Sequence, residues 1–123
     1  MILLNQNVIA DNMSKIIYLA TPYSHKDKDV VEQRYIQTAE KCAELISQGH
    51  VVISPIFYGH NLLKFREMPS DWEFWKNFCE SFLLQCSELW VYKIDGWDQS
   101  SGVKGEIELA KKINIPIRYI EIN

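Results

Sequence analysis

The chain is expected to fold as a single α/β domain, a doubly wound parallel sheet of about four or five strands with helices on both faces. Three observations lead there. Short apolar runs rich in strand formers recur along the sequence, and stretches with apolar residues three and four apart separate them. The segments that follow the strands are polar and rich in Pro and Gly. The resulting order β-α-β-α-β-α-β requires crossover connections, and right-handed crossovers distribute helices over both faces.

Lys15-Ile-Ile-Tyr-Leu-Ala20 is the first strand, ended by Thr21-Pro22. Asp27 to Gln48 follows as a helix, with Val31, Tyr35, Thr38/Ala39, Cys42 and Leu45/Ile46 on one stripe and Gly49 where a C-terminal cap belongs. His50 to Ile56 reads as a second strand, broken near its end by Pro55, and Phe57 to Ser70 as a long loop. Asp71 is suited to cap a helix in which Trp72, Trp75, Phe78/Cys79, Phe82/Leu83 and Cys86 share a face. Glu88 to Ile94 is a third buried strand, Glu106 to Lys112 a last helix, and Ile115 to Ile122 a closing strand. The arrangement is flavodoxin- or Rossmann-like, with a fifth strand available from the long loop or the N-terminus. In such sheets ligands bind beyond the carboxyl ends of the strands.

Composition narrows the function classes. The 123 residues are 47% apolar and 12% aromatic, which suits one globular domain with a real core. A formal charge of −3 with scattered basic residues argues against a nucleic-acid polymer as partner. Cys42, Cys79 and Cys86 form no Cys-x-x-Cys pair and read as small buried hydrophobes in a reducing cytoplasm. No apolar run approaches the ~20 residues of a membrane span. Residues 1–13 lack a basic, cleavable leader pattern and are read as a flexible arm or upstream start, leaving 14–123 as the domain.

The segment from Asp95 to Ala110 carries most of the chemistry. A strand, a Ser/Gly turn and a helix opening with a carboxylate make a ligand site, because free backbone N–H groups at a helix start bind anions. Ser100, Ser101 and Gly102 supply hydroxyls and close backbone approach. Glu106 lies beside them, although a helix dipole alone also favours glutamate near a helix start. Neither a Walker loop nor a dinucleotide fingerprint is present. The other strand ends offer Thr21, Pro22, Tyr23, Ser24 and Ser54 for substrate contact. Trp72 or Trp75 could stack on a flat ring such as a nucleobase, or pack in the core. Trp97, in a polar turn, is expected to cover the site or meet another subunit. His25 reads as a solvated loop residue, His50 as structural, and His60 fits either role. No histidine pair has metal-ligand spacing, so no metal or other cofactor is expected.

Five ordered segments then resemble one superfamily: Tyr18-Leu-Ala-Thr-Pro-Tyr-Ser24, Gly49-His-Val-Val-Ile-Ser-Pro55, Asp71-Trp-Glu-Phe-Trp75, Cys86-Ser-Glu-Leu-Trp-Val91 and Gly96-Trp-Asp-Gln-Ser-Ser-Gly-Val-Lys-Gly-Glu106. Over about Ile16 to Ile122 the chain resembles the nucleoside 2-deoxyribosyltransferase-like superfamily, and within it the small, often phage-encoded DUF1937 branch. The resemblance implies that Glu106 attacks C1′ of a nucleoside or nucleoside 5′-monophosphate, while Ser100 and Gly102 hold the 5′ group. It implies that Tyr18 lies near the sugar and that the protein is a homo-oligomer, dimeric or larger. Transferases of this kind carry an aspartate on the helix before the third strand to protonate the leaving base. Here that position is Cys79, so Glu80 or Asp71 is expected to substitute, with Asp95 a further candidate. The alternative is a non-catalytic module that binds a nucleotide.

Overall fold

A computed structural model describes residues 15–122. Its elements are β1 (Ile17–Ala20), α1 (Lys28–Ser47), β2 (Val52–Ile53), α2 (Pro55–Leu62), α3 (Trp72–Leu83), β3 (Glu88–Tyr92), α4 (Ser101–Lys112) and β4 (Ile117–Ile120), with a short 3-10 turn at Trp97–Gln99 before α4. The four strands form one sheet in the order β2-β1-β3-β4, and every pairing is parallel. The domain is Rossmann-like. Any contribution of residues 1–14 to the sheet lies outside the described residues.

Strand alternation sorts the core into two layers. Tyr18, Ala20, Leu89 and Val91 point to one face, where Cys79 and Leu83 of α3 and Val103 and Ala110 of α4 cover them. Ile17, Leu19, Trp90 and Tyr92 point to the other, against Leu45 and Cys42 of α1. Period-two patterning therefore assigns Tyr18 to the layer that also receives α4. Fully burying an aliphatic side chain such as Leu19, Leu83 or Leu89 contributes about 1.5–3 kcal/mol each.

Among the described residues all four α-helices begin with a side-chain cap: Asp27 to Asp29 N, Ser54 to Phe57 N, Asp71 to Phe74 N and Ser100 to Val103 N. Each such cap is worth about 1 kcal/mol and fixes where the chain turns from sheet to helix. Gly49, at φ +95°, ends α1 in the left-handed region.

Two segments depart from the expectations drawn from sequence. The second strand spans only Val52–Ile53, and Pro55 opens a helix instead of breaking a strand. Ser54 caps it and proline occupies the first turn, where its missing N–H costs nothing. Part of the expected loop is thus α2. The last helix starts at Ser101, five residues before Glu106, so Glu106 lies in its second turn and does not open it.

Candidate active site

The strand order places β1 and β3 side by side, with the chain leaving β1 toward β2 and leaving β3 toward β4. Such a reversal opens a crevice at the strands' carboxyl ends. A cavity of about 390 Å³ occupies that place, lined by residues following β1, by α2, by the start of α3 and by the start of α4. Its volume is in the range of small-molecule sites.

Glu106 is 6% exposed, and its carboxylate accepts a hydrogen bond from the Tyr18 hydroxyl. Burial pushes the Glu106 carboxyl up to about 8, the Tyr18 bond pulls it back, and the charge of nearby Glu80 raises it further. Tyr18 is itself held well above the usual phenol range by burial first and by Glu106 second. The Cys79 thiol lies against Tyr18 and lines the cavity, and burial pushes it up to about 12. A thiol so weakly acidic is a poor proton donor to a leaving group.

The start of α4 forms the opposite end of the site. Ser100 caps the helix, and Ser100, Ser101 and Gly102 all line the cavity. Gly102 and Glu106, four residues apart, share a helix face about 6 Å apart along the axis. Trp72 crowds both glycines of this segment. A Cβ on Gly102 would lie 3.3 Å from the Trp72 ring, and one on Gly105 only 2.6 Å from it. Trp72 therefore packs against α4 and also lines the cavity. Gly105→Ala should gain up to about 1 kcal/mol of helix propensity but lose about 1–3 kcal/mol to overpacking. The expected net result is a less stable protein whose Trp72 fluorescence shifts, checked by denaturant melts with emission spectra.

Arg34 completes this end, and sequence reasoning missed it. Its Nη1 donates to the carbonyls of Ser24 (2.9 Å) and Tyr23 (3.4 Å). Its Nε is buried without a partner. Among the described residues no carboxylate pairs with it. Gly96, at φ +90°, lets the guanidinium pass: a Cβ there would sit 2.2 Å from Nη2. The sequence did carry a signal, since Arg34 lies between Val31 and Thr38 on the apolar stripe of α1, where a charge needs a reason.

Of the residues expected to contact substrate, Thr21, Tyr23, Ser24, Trp72, Ser100, Ser101 and Gly102 line the cavity, as do Asp71 and Glu106. Tyr18 reaches it through Glu106. Four are placed otherwise. Glu80 is absent from the lining, because α3 turns Cys79 inward instead, and it acts on Glu106 only through its charge. Pro22 is fully buried, and Ser54 is spent on capping α2. Trp97 packs edge-on against Tyr119 at 5.7 Å, with Lys93 over its ring, and does not cover the cavity. His60, on α2, and Gln99, in the 3-10 turn, enter the lining from segments that showed no strong period in the sequence.

The family model described as a domain of unknown function (DUF1937) matches residues 15–121. The chain belongs to the DUF1937 family. No curated protein matches it. The match runs from before β1 to beyond β4, so every element that lines the cavity lies inside the DUF1937 domain. No helix among the described residues is long and apolar enough to cross a membrane.

Proposed function

We propose that this protein cleaves the N-glycosidic bond of a nucleoside or nucleoside 5′-monophosphate, by hydrolysis or deoxyribosyl transfer, with Glu106 as nucleophile. The supporting observation is the buried Glu106–Tyr18 pair set one helical turn from an anion-receptive helix start beside Arg34. The reading also places the chain in the nucleoside 2-deoxyribosyltransferase-like superfamily, on the five motifs quoted above. It has the protein working in the cytoplasm as a homo-oligomer.

The chemistry follows from the arrangement. A Glu106 oxygen bonds to C1′ as the C1′–N bond breaks, and the bond's electron pair leaves with the base. Tyr18 holds Oε2, which orients the carboxylate toward the sugar. Burial makes the ionised carboxylate costly in the free protein, and the positive charge that develops on the sugar relieves that cost in the transition state. Ser100, Ser101, Gly102 and Arg34 would receive the 5′ end, and Trp72 or Trp75 the base. Asp71, the second carboxylate lining the cavity, caps α3 through Oδ1 and offers its other oxygen to the leaving base.

A second reading, binding without turnover, draws support from two facts. Cys79 faces the cavity where a proton donor is wanted, and Glu106 is largely neutral at pH 7. A panel of nucleosides and 5′-monophosphates, followed by chromatography for free base, separates the readings. Base release from at least one compound is expected. Tight binding across the panel with no free base after prolonged incubation would establish the second reading instead.

A further inference from the structure

Along one wall of the cavity, three side chains outside the Glu106 centre form a continuous row. The Tyr23 hydroxyl is 2.8 Å from His60 Nδ1, and His60 Nε2 is 3.6 Å from a Glu32 carboxylate oxygen. Tyr35 fixes the imidazole from the side, stacked on it with ring centroids 3.7 Å apart. The row grades from wet to dry. Glu32 has a side chain 57% exposed, that of His60 is 13% exposed, and Tyr23 and His60 both line the cavity.

The order of groups sets the direction in which a proton moves. Glu32 beside Nε2 favours the hydrogen on that nitrogen, which leaves Nδ1 as acceptor for the Tyr23 O–H. Burial lowers the affinity of His60 for a proton, Lys64 lowers it further and Glu32 partly restores it, so the ring rests neutral. A neutral imidazole accepting from a phenol, with a carboxylate behind it, is a base assembly of the same logic as a carboxylate–histidine–hydroxyl triad. Tyr23 and His60 both line the cavity, so the row ends at the space a substrate would occupy.

We infer that the Glu32–His60–Tyr23 row is the general base that activates the water completing the reaction, which makes the protein a hydrolase. This rests on the Glu106 reading above. In this step the water oxygen bonds to C1′ of the glycosyl–Glu106 ester. The C1′–O bond breaks and its electron pair returns to Glu106. The water proton passes to the Tyr23 oxygen as the Tyr23 proton passes to His60 Nδ1, and Glu32 stabilises the imidazolium. Tyr23 is the member that touches the water, while His60 and Glu32 act through it. The resting state of His60 suits this step, which needs the imidazole neutral.

The test uses a substrate shown by the panel to release base with the wild-type protein, with Tyr23→Phe, His60→Asn and Glu32→Gln compared. Positioned general bases contribute roughly 10²–10⁴-fold. Tyr23→Phe and His60→Asn are expected to keep a rapid burst of one base per site, then turn over at least about 10²-fold more slowly. Intact mass should show a glycosyl adduct on the protein. Azide, a nucleophile that needs no deprotonation, should restore their turnover and give the glycosyl azide, but should not rescue Glu106→Gln. Glu32→Gln should give a smaller loss in the same step. Variants that lose the burst along with turnover, or that azide fails to rescue, overturn the assignment, as do variants with unchanged steady-state rates. No base release by the wild-type protein from any compound defeats the underlying Glu106 reading, a distinct outcome.

Discussion

Glu106→Gln is expected to lower base release by at least about 10³-fold, with substrate binding little changed. A covalent nucleophile divides one difficult displacement into two easier ones, and the amide offers no comparable oxygen. Glutamine preserves the shape of the neutral acid, and its carbonyl can still accept from Tyr18. The variant therefore isolates the charge from the packing. Retention of full base release by Glu106→Gln would exclude a glutamate nucleophile.

The wild-type pH profile adds an independent reading of the same group. A nucleophile must be ionised, and burial has raised Glu106 to about 8. kcat/KM should accordingly climb about tenfold per pH unit below that value and level off above it. If Glu106 instead delivered a proton as a general acid, the slope would reverse, with activity falling above about pH 8. Steady-state kinetics from pH 6 to 9.5 distinguish the two.

The elements that positioned the site were legible where one period dominated. β1 and α1 announce themselves by a short apolar run and by a stripe from Val31 to Leu45. The start of α4 was misplaced because Ser101-Gly-Val-Lys-Gly105 looks like a turn: two glycines in a helix cost about 1 kcal/mol each against alanine. Their reason is tertiary, the Trp72 ring lying on Gly102 and Gly105, and it is visible only once α3 meets α4. Ser54-Pro55 misled in the same way, since serine before proline ends a strand or caps a helix with equal local sense. Glu106, Ser100 and Gly102 could be found because they lie in one local segment. The Arg34 guanidinium and the Glu32–His60–Tyr23 row could not. Their partners are joined across α1, α2 and the segment after β1, and no periodicity encodes such a meeting.

The second large effect is on stability, and its sign is fixed by proton linkage. Unfolded, Glu106 ionises near 4.5; folded, it holds its proton to about 8. Between those values the native state binds the proton that the unfolded chain has lost. The stabilisation from this group is complete below about 4.5 and declines by roughly 1.4 kcal/mol per pH unit until it is gone above about 8. Glutamine never ionises and shows no such decline. Glu106→Gln should therefore match the wild-type protein near pH 4.5 and exceed it increasingly up to pH 8, by on the order of 4–5 kcal/mol, or roughly 15–20 °C in Tm. Titration of groups that do not interact with Glu106, His60 among them, contributes to both proteins and cancels in the difference. Paired thermal melts at fixed ionic strength across pH 5–9 give that difference directly. A Tm gap that stays constant with pH would mean that Glu106 is ionised in the folded protein throughout, and a wild-type protein more stable than Glu106→Gln at pH 8 would mean that the Tyr18 hydrogen bond outweighs burial.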